Sequence, residues 1–166
     1  MQKDCEYWIN KLELKKHPEG GYFSEIYRSN TSISPRDLNW DCEEERASAT
    51  SIYFLLNSGE VSKLHRLKSD EIWYYHLGSS LAVTVITPQG SLLRHILGLD
   101  LDQKEQPQVI IPAGSIFGAS VNDSDSYSLV SCMVTPGFDF RDFELLSKEQ
   151  LIKEYSLYQE VIEELT

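Results

Sequence analysis

The sequence lacks the cysteine pattern of disulfide-rich or zinc-binding proteins and the long apolar run of a membrane-spanning protein. Its three cysteines, Cys5, Cys42 and Cys132, form no Cys-x-x-Cys pair. A sparse, odd set of this kind does not make a disulfide framework, and it gives a structural zinc site little support. No apolar run approaches the roughly 20 residues that span a bilayer. The N-terminal segment also lacks the basic and then apolar order of a secretory signal. We therefore expect a cytoplasmic protein that does not enter the membrane.

Basic residues are also scarce. Fifteen Lys and Arg stand against 26 Asp and Glu, which gives a formal net charge of −11 at pH 7. A chain this acidic repels phosphate backbones, and no basic stripe with interleaved aromatics is present, so nucleic acid is excluded as a partner. The Gly-x-Ser-x-Gly and Walker glycine patterns are missing too, which excludes serine hydrolases and P-loop enzymes.

What the sequence does contain is a succession of short β-type segments. Its 166 residues, 41% of them hydrophobic, suit a single domain over residues 1–166. Segments of strand character, bounded by turn residues, cover 22–28, 51–56, 71–77, 81–87, 91–97, 108–111 and 127–134. Short strands with turns about every 8–12 residues predict an all-β sandwich or closed barrel. The helices that a βαβ fold needs between its strands are missing.

Helical patterns occur only near the two ends of the chain. The first dozen residues predict a short helix. Ser147 and Gln150 form a capping box, and apolar residues at helical spacing then predict a helix over about 147–164. The barrel is expected at about 20–145. Residues 29–47 predict a long loop. The sequence does not decide whether this loop is a lid over a site or a plain surface insertion.

The segment 59–78 holds the side chains best suited to chemistry. It contains His65 and Glu71, an imidazole and a carboxylate that can ligate a metal or move protons near neutral pH. In a hairpin these two residues can face each other across neighbouring strands, and alternation places Glu71, Trp73 and Tyr75 on one face. This predicts a pocket with an acid–base pair and an aromatic wall. A structural histidine bonded to Glu71 is the other interpretation, and the sequence leaves both open.

Further residues are candidates for catalysis or ligand contact. If His65 is a base oriented by Glu71, a phenol can supply the acid, and the candidates are Tyr22, Tyr53 and Tyr75. Arg28 can meet a phosphate or carboxylate, although an internal salt bridge is the alternative. The remaining expected ligand contacts are Lys63, Trp73, Phe138 and Phe140, the last two as a cover over the barrel mouth or as ordinary core. His17 is expected to be structural more readily than part of the pocket.

Several motifs together resemble the cupin superfamily, and within it a small branch of unassigned function. The first cupin motif matches at Gly59, His65, Glu71 and Gly78, and the start of the second matches at Pro112-Ala113-Gly114. The branch's own motifs match at 17–22, 70–73 and 136–140, so that the resemblance runs from about Leu12 to Leu146. It implies a double-stranded β-helix, or jelly roll, commonly assembled as a homodimer, to which the sequence patterns add a short N-terminal helix and a C-terminal helix.

The departures from the cupin pattern concern the metal. In metal-binding cupins two histidines and a glutamate of the first motif and a histidine of the second hold the ion. Here Leu67 and Phe117 stand at two of these four positions, and only His65 and Glu71 remain. Two protein ligands are fewer than a catalytic zinc or iron needs, so no cofactor is expected, and a divalent metal at His65 and Glu71 is the alternative. Phe117 then becomes a candidate ligand contact.

The resulting functional prediction is a protein that binds a small polar metabolite, with a carbohydrate-like ligand as the narrower expectation. The first hypothesis is a metal-free isomerase or epimerase with His65 as base, by analogy with epimerases of the same superfamily. A non-catalytic binding or sensing module is the alternative. A metal-dependent cupin enzyme with a reduced ligand set is the third.

Overall fold

Thirteen strands and three α-helices form most of residues 3–166, the part of the chain that the computed structural model describes. The strands are β1 (Lys15–Lys16), β2 (Tyr22–Arg28), β3 (Ser32–Ile33), β4 (Arg46–Ala47), β5 (Thr50–Asn57), β6 (Val61–Leu67), β7 (Asp70–Gly78), β8 (Leu81–Ile86), β9 (Leu92–Leu97), β10 (Gln108–Ile111), β11 (Ile116–Val121), β12 (Tyr127–Thr135) and β13 (Phe143–Leu145). The α-helices are α1 (Cys5–Lys11), α2 (Lys148–Glu154) and α3 (Gln159–Glu164), and 3-10 turns cover Pro35–Asp37, Leu101–Gln103, Phe140–Asp142 and Ser156–Tyr158.

Two antiparallel sheets face each other and enclose the main core. One sheet has the order β1-β2-β5-β12-β7-β10, and the other has the order β13-β6-β11-β8-β9. Buried apolar side chains from both sheets, such as Phe54 and Trp73 from the first and Val83 and Phe117 from the second, pack into one cluster. This arrangement confirms the predicted jelly roll.

The outer faces of the two sheets are covered unequally. Helix α1 packs its apolar side against one end of the six-stranded sheet, and α2 and α3 cover the outer face of the other sheet. The rest of the six-stranded sheet carries an uncharged outer row, which the strand register aligns as Tyr27, Ser51, Met133, Ile72 and Ile110. Tyr27 and Ile110, at its two ends, are 54% and 58% exposed.

The C-terminal helical segment is present, but as two helices rather than one. The predicted capping box forms at Ser147 and Gln150, whose side chains bond each other's backbone. Tyr155 then leaves the helical conformation, at φ −125° and ψ 52°, so that α2 ends and a 3-10 turn follows. The phenol of Tyr158 donates to the carbonyl oxygen of Gly90 at 3.0 Å, which fixes the bend against the barrel.

The loop between β2 and β5 is held by a strand pair and a buried ion pair. Strands β3 and β4 pair within it. Buried Arg46 donates from Nε and Nη2 to the two carboxylate oxygens of Asp142, at 2.6 and 3.2 Å. Asp142 belongs to the 3-10 turn that also holds Phe140, so this ion pair joins the loop to the end of the barrel.

The connection from β6 to β7 corrects the predicted hairpin. Only Lys68 and Ser69 separate the two strands, yet β6 pairs with β11 and β13, while β7 pairs with β12 and β10. The turn therefore passes from one sheet to the other. His65 and Glu71 reach the interior from opposite sheets instead of lying side by side on one ladder.

Candidate functional site

A cavity of about 330 Å³ opens between the two sheets. Its walls are largely phenyl rings, contributed by Phe23, Phe54, Phe138, Phe140 and Phe143. Its polar lining includes four ionisable residues, which we call the polar cluster: His17, Glu19, His65 and Glu71. A space of this size with apolar walls and a few convergent polar groups is typical of small-molecule sites.

Cross-strand neighbours on the inner face of the six-stranded sheet form one wall of the cavity. Arg28 on β2, Thr50 on β5, Val134 on β12 and Glu71 on β7 are successive partners across the sheet. All four line the cavity, with Glu71 6% exposed and Arg28 at the open edge. Cys132 follows on the same inner face, and burial raises the pKa of its thiol well above the ordinary value.

Strand β6 supplies His65 from the opposite sheet. The register with β11 shifts between His65 and Ser62, so a β-bulge lets both residues face inward. The ring of His65 is 2% exposed, and its Nδ1 lies 2.7 Å from the carbonyl oxygen of Lys63. Phe117 and Phe143 pack against it at ring-centroid distances of 4.1 and 5.4 Å.

The tight turn at residues 17–21 supplies the other half of the polar cluster. Gly20 and Gly21 adopt φ values of 116° and 68°, which favour glycine. A Cβ on Gly20 would lie 2.1 Å from the carbonyl oxygen of Val61, so only glycine lets the turn approach β6 so closely. This approach brings Glu19 to β6, where its Oε1 accepts a 2.8 Å hydrogen bond from the hydroxyl of Ser62.

Glu19 connects the two histidines. Its Oε2 lies 3.3 Å from Nδ1 of His17 and 3.3 Å from Nε2 of His65. The side chains of these three residues are 8%, 6% and 2% exposed, respectively. Because water is largely excluded, these contacts are stronger than the same contacts at a surface.

Burial sets the protonation of the polar cluster. It raises the pKa of Glu71 to about 7, against a smaller lowering by His65. It also raises the pKa of Glu19 to about 6, which His17 and Ser62 partly oppose. Burial lowers the pKa of both His17 and His65. Near neutral pH a large fraction of Glu71 therefore carries a proton, Glu19 is mostly ionised, and the two imidazoles are able to accept a proton.

Five of the residues expected from the sequence lie at the cavity. They are His65, Glu71, Arg28, Phe138 and Phe140. Arg28 already has a partner, because its Nε and Nη2 donate to the carboxylate of Glu25 at 3.0 and 2.7 Å. The alternative of an internal salt bridge is thus the one observed.

The three tyrosines expected as acids lie elsewhere, which corrects their placement. Tyr22 and Tyr53 point to the outer face of the six-stranded sheet, where they pack near α1. Tyr75 does share the inner side of β7 with Glu71 and Trp73, but it lies four residues along the strand, about 13 Å away. Its hydroxyl donates to the carbonyl oxygen of Gly78. None of the three lines the cavity.

Three other expected ligand contacts also lie outside the cavity lining. Lys63 is exposed, because the bulge in β6 breaks the alternation that pointed it inward. Trp73 and Phe117, each 1% exposed, lie in the main core. Phe117 supports the ring of His65 from behind.

The sequence reasoning missed Glu19 and underrated His17 and Cys132. Each of these residues lines the cavity. A signal for the first two was present in the His-Pro-Glu-Gly-Gly-Tyr turn, since paired glycines at a turn permit close backbone approach. Cys132 alternates within a buried strand, and nothing in its pattern separates a cavity position from a core position.

A family profile described as Cupin superfamily (DUF985) matches residues 6–146. The chain belongs to the cupin superfamily. This cupin is 44% identical to protein SO0799 from Shewanella oneidensis, with a TM-score of 0.90 over 99% of this chain and 98% of that one. It is 39% identical to a hypothetical protein from Leishmania major, with a TM-score of 0.89 over 99% of both chains.

Two further comparisons extend the relationship. The uncharacterized protein YML079W from Saccharomyces cerevisiae is 32% identical to this cupin over 155 residues, which is 87% of this chain and 76% of that protein. Oxalate decarboxylase from Bacillus subtilis is 19% identical, with a TM-score of 0.56 over 91% of this chain and 37% of the enzyme. The last likeness shows a shared fold alone.

In residues 3–166 of this cupin no helix is long and apolar enough to cross a membrane.

The cavity residues of this cupin do not fit the metal centre of metal-binding cupins. Leu67 and Phe117, which stand at two of the four ligand positions, are 4% and 1% exposed and apolar. His65 contacts Lys63 through one nitrogen and Glu19 through the other. Within residues 3–166 no group of three or more His, Cys, Asp or Glu has the geometry to hold an ion.

Proposed function

We propose that this cupin binds a small, uncharged molecule and moves a proton on it, as isomerases and epimerases do. The observation that carries the proposal is the burial of two carboxyl groups and two imidazoles in one cavity lined with phenyl rings. Titratable groups with perturbed pKa values, gathered in a cleft, are typical of catalytic sites. The reaction class is inferred from the groups present, since general acid–base catalysis needs a donor and an acceptor held near one ligand.

The size of the cavity limits the ligand. At roughly 30 Å³ per water molecule, a volume of about 330 Å³ holds about eleven waters, which is the space of one substituted ring. The phenyl walls favour a ligand with an apolar or sugar-like face, and the polar cluster favours hydroxyl or carbonyl oxygens on the other side.

The charges at the cavity mouth argue for an uncharged ligand. Among residues 3–166, Arg28 is the only basic residue that lines the cavity apart from the two histidines, and its guanidinium is paired with Glu25. Asp139 adds a second carboxylate near the mouth, where Arg141 lowers its pKa. An anionic ligand would meet an acidic rim with no unpaired cation. We therefore favour a neutral sugar or carbonyl compound over a phosphorylated one.

The acid in this proposal is Glu71 instead of a tyrosine. Its pKa of about 7 leaves a large fraction of the carboxyl protonated at neutral pH, so it can donate to a ligand oxygen. A buried imidazole, kept neutral by desolvation, supplies the base.

The test is a metabolite screen followed by a hydrogen-exchange assay. Neutral sugars and carbonyl compounds are screened by thermal shift, because a ligand that binds only the native state raises the midpoint. Each compound that binds is then incubated with the protein in D₂O and followed by proton NMR. Loss of a C–H signal at a rate proportional to protein concentration is the expected result. A panel in which no bound compound exchanges a proton would contradict the catalytic proposal.

A non-catalytic binding module is the second candidate. It is favoured by Leu67 and Phe117, which remove half of the usual cupin ligand set and leave a buried apolar surface in its place. The same experiment separates the two, because a binding module raises the midpoint with a ligand that stays chemically unchanged in D₂O.

A further inference from the structure

The indole of Trp73 is a buried hydrogen-bond donor without a partner. Trp73 is 1% exposed, and its Nε1 bonds to no residue of 3–166. A buried donor that is left unbonded destabilises the folded state, so such an atom in a native structure calls for an explanation. An indole N–H only donates, so a nearby group that becomes a stronger acceptor would remove this cost.

Glu71 is the acceptor beside this donor. Glu71 and Trp73 are two residues apart on β7, so both side chains point to the inner side of the sheet. Burial raises the pKa of Glu71 most strongly, and hydrogen bonding from the side chains of Trp73 and Cys132 opposes this rise. The indole nitrogen is thus close enough to act on the carboxyl group of Glu71, although it completes no hydrogen bond there.

Cys132 supplies a second donor from the neighbouring strand. On β12, Cys132 is the cross-strand partner of Trp73, and Val134 is the partner of Glu71. The thiol therefore lies on the diagonal from Glu71, a distance that a long side chain can bridge. Burial raises the pKa of this thiol well above the ordinary value, so it keeps its proton and remains a donor. The carboxyl group of Glu71 thus has an N–H and an S–H beside it.

We propose that Trp73 and Cys132 are positioning residues that hold the carboxylate of Glu71 once it has given its proton to the ligand. The indole N–H and the thiol donate to the charged oxygens, so that the negative charge formed in an apolar cavity is not left without partners. The inference rests on the proposed function, because it extends the role of Glu71 as the acid.

The proton transfer from Glu71 balances. Its carboxyl O–H bond breaks, an O–H bond forms at the carbonyl oxygen of the ligand, and the electron pair stays on the carboxylate. Trp73 and Cys132 keep their own protons, because an indole N–H only donates and the pKa of the thiol is well above its ordinary value. The C–H proton of the ligand goes to the buried imidazole base of the proposed function, and return of both protons restores the site.

Other titratable and charged groups also act on Glu71, so its ionisation has to be identified by substitution. His65 lowers the pKa of Glu71, and Glu19 raises it. Strand β10 places only the apolar Ile111 opposite Glu71. The titratable and charged residues that share the cavity with Glu71 come from the turn at 17–21, β2, β6, β12 and the rim: His17, Glu19, Glu25, Arg28, His65, Cys132 and Asp139.

The first test follows the indole signals by NMR and needs no ligand. The chain has three tryptophans, so its nitrogen-15 spectrum contains three indole N–H signals, and Trp8→Phe and Trp40→Phe assign the third to Trp73. We expect this proton to move downfield as the pH rises, with a midpoint of about 7, because the N–H gains a charged acceptor when Glu71 ionises. The signal of Trp8 is the control, since its Nε1 already donates to the hydroxyl of Tyr127 at 2.9 Å.

The same titration in Glu71→Gln shows whether the transition belongs to Glu71. Glu19, with a pKa of about 6, also changes its charge in this range. In the folded variant the transition of the Trp73 signal should disappear, while the Trp8 signal stays constant. A Trp73 signal that is constant with pH in the unchanged protein, or that moves equally in Glu71→Gln, would overturn the inference.

Two variants of Cys132 that differ little in size test the thiol. Cys132→Ala removes the donor, whereas Cys132→Ser keeps an O–H donor in almost the same volume. The carboxyl carbon-13 signal of Glu71, identified by its loss in Glu71→Gln, reports the ionisation. We expect the midpoint to rise by about one pH unit in Cys132→Ala, since a charged acceptor loses a hydrogen bond, and to stay at or below that of the unchanged protein in Cys132→Ser. Equal midpoints in the two folded variants would refute the role of the thiol.

The pH profile of exchange, measured with a compound found in the screen, separates this inference from the proposed function. Exchange needs protonated Glu71, so its rate should fall above the midpoint of that group, and this limb should move up further in Cys132→Ala than in Cys132→Ser. If no bound compound exchanges in the unchanged protein, the catalytic function is wrong, and the Trp73 signal still decides whether the donors respond to Glu71. If exchange occurs while the Trp73 signal is insensitive to the charge of Glu71, the function stands and Trp73 does not hold the carboxylate.

Discussion

Replacing Glu71 by Gln is expected to stabilise the protein at alkaline pH, although it alters a buried polar residue. Burial raises the pKa of Glu71 from an ordinary 4.5 to about 7. Between these pH values the native protein holds a proton that the unfolded chain has already released. Raising the pH through this window therefore favours unfolding, and the penalty is complete above about pH 7.

The size of the penalty follows from the same values. At about 1.4 kcal/mol per pH unit, the difference between 4.5 and about 7 costs about 3 kcal/mol of the free energy of unfolding. Gln has nearly the shape of Glu and carries no titrating proton, so Glu71→Gln removes this cost. We expect the variant to gain up to about 3 kcal/mol over the unchanged protein at pH 8.5 and almost nothing at pH 4.5.

Urea unfolding of both proteins at pH 4.5, 6 and 8.5 measures the difference. For a chain of this length a gain of 3 kcal/mol corresponds to roughly 6–12 °C in the thermal midpoint. Glu43→Gln is the matched control, because Glu43 is exposed in the loop before β4 and forms no ion pair with residues 3–166. A stability difference for Glu71→Gln that stays constant with pH, or that turns against the variant at pH 8.5, would refute the assignment of a desolvated carboxyl.

The remaining predictions concern the turn at residues 17–21 and the uncharged outer row. Gly20→Ala is expected to lower the free energy of unfolding by about 3 kcal/mol or more, because its Cβ would meet the carbonyl oxygen of Val61. Gly59→Ala has a φ of 81° and open space around its Cβ, so a loss of only about 1–2 kcal/mol is expected; equal losses would argue against the close approach. The homodimer stays a prediction, and we place its contact at the outer row because an uncharged surface on a chain of charge −11 suits a second copy better than a charged partner. Sedimentation should give twice the chain mass, reduced to the monomer by Ile110→Glu, and a monomeric unchanged protein would contradict it.

Much of the fold was predictable because alternation and turn residues are local signals. The seven strand-like segments all correspond to strands, and the capping box at Ser147 forms as expected. The hairpin between His65 and Glu71 was wrong because a two-residue turn can join strands of different sheets as well as neighbours in one sheet. Sequence alternation fixes which side of a strand a residue faces, but it does not say which sheet the strand joins.

The site was predictable only in part, for three physical reasons. The inward placement of Lys63 was predicted from strict alternation with His65, and the bulge in β6 breaks that alternation. Both faces of the six-stranded sheet carry aromatic residues, so a tyrosine such as Tyr53 on the outer face looks no different in sequence from one at the cavity. Glu19 reaches the cavity through a long-range approach of its turn to β6, and that approach depends on contacts far apart in the chain.

The ion pair of Arg46 and Asp142 links the loop after β2 to the entrance of the cavity. Asp142 shares a 3-10 turn with Phe140, whose ring is 54% exposed at the entrance, while Arg46 lies at the far end of the loop that follows β2. No residue of 29–47 touches the cavity, yet a change in that loop can shift Arg46 and with it the ring of Phe140. The range of molecules admitted can therefore be altered without replacing any group that would handle the proton.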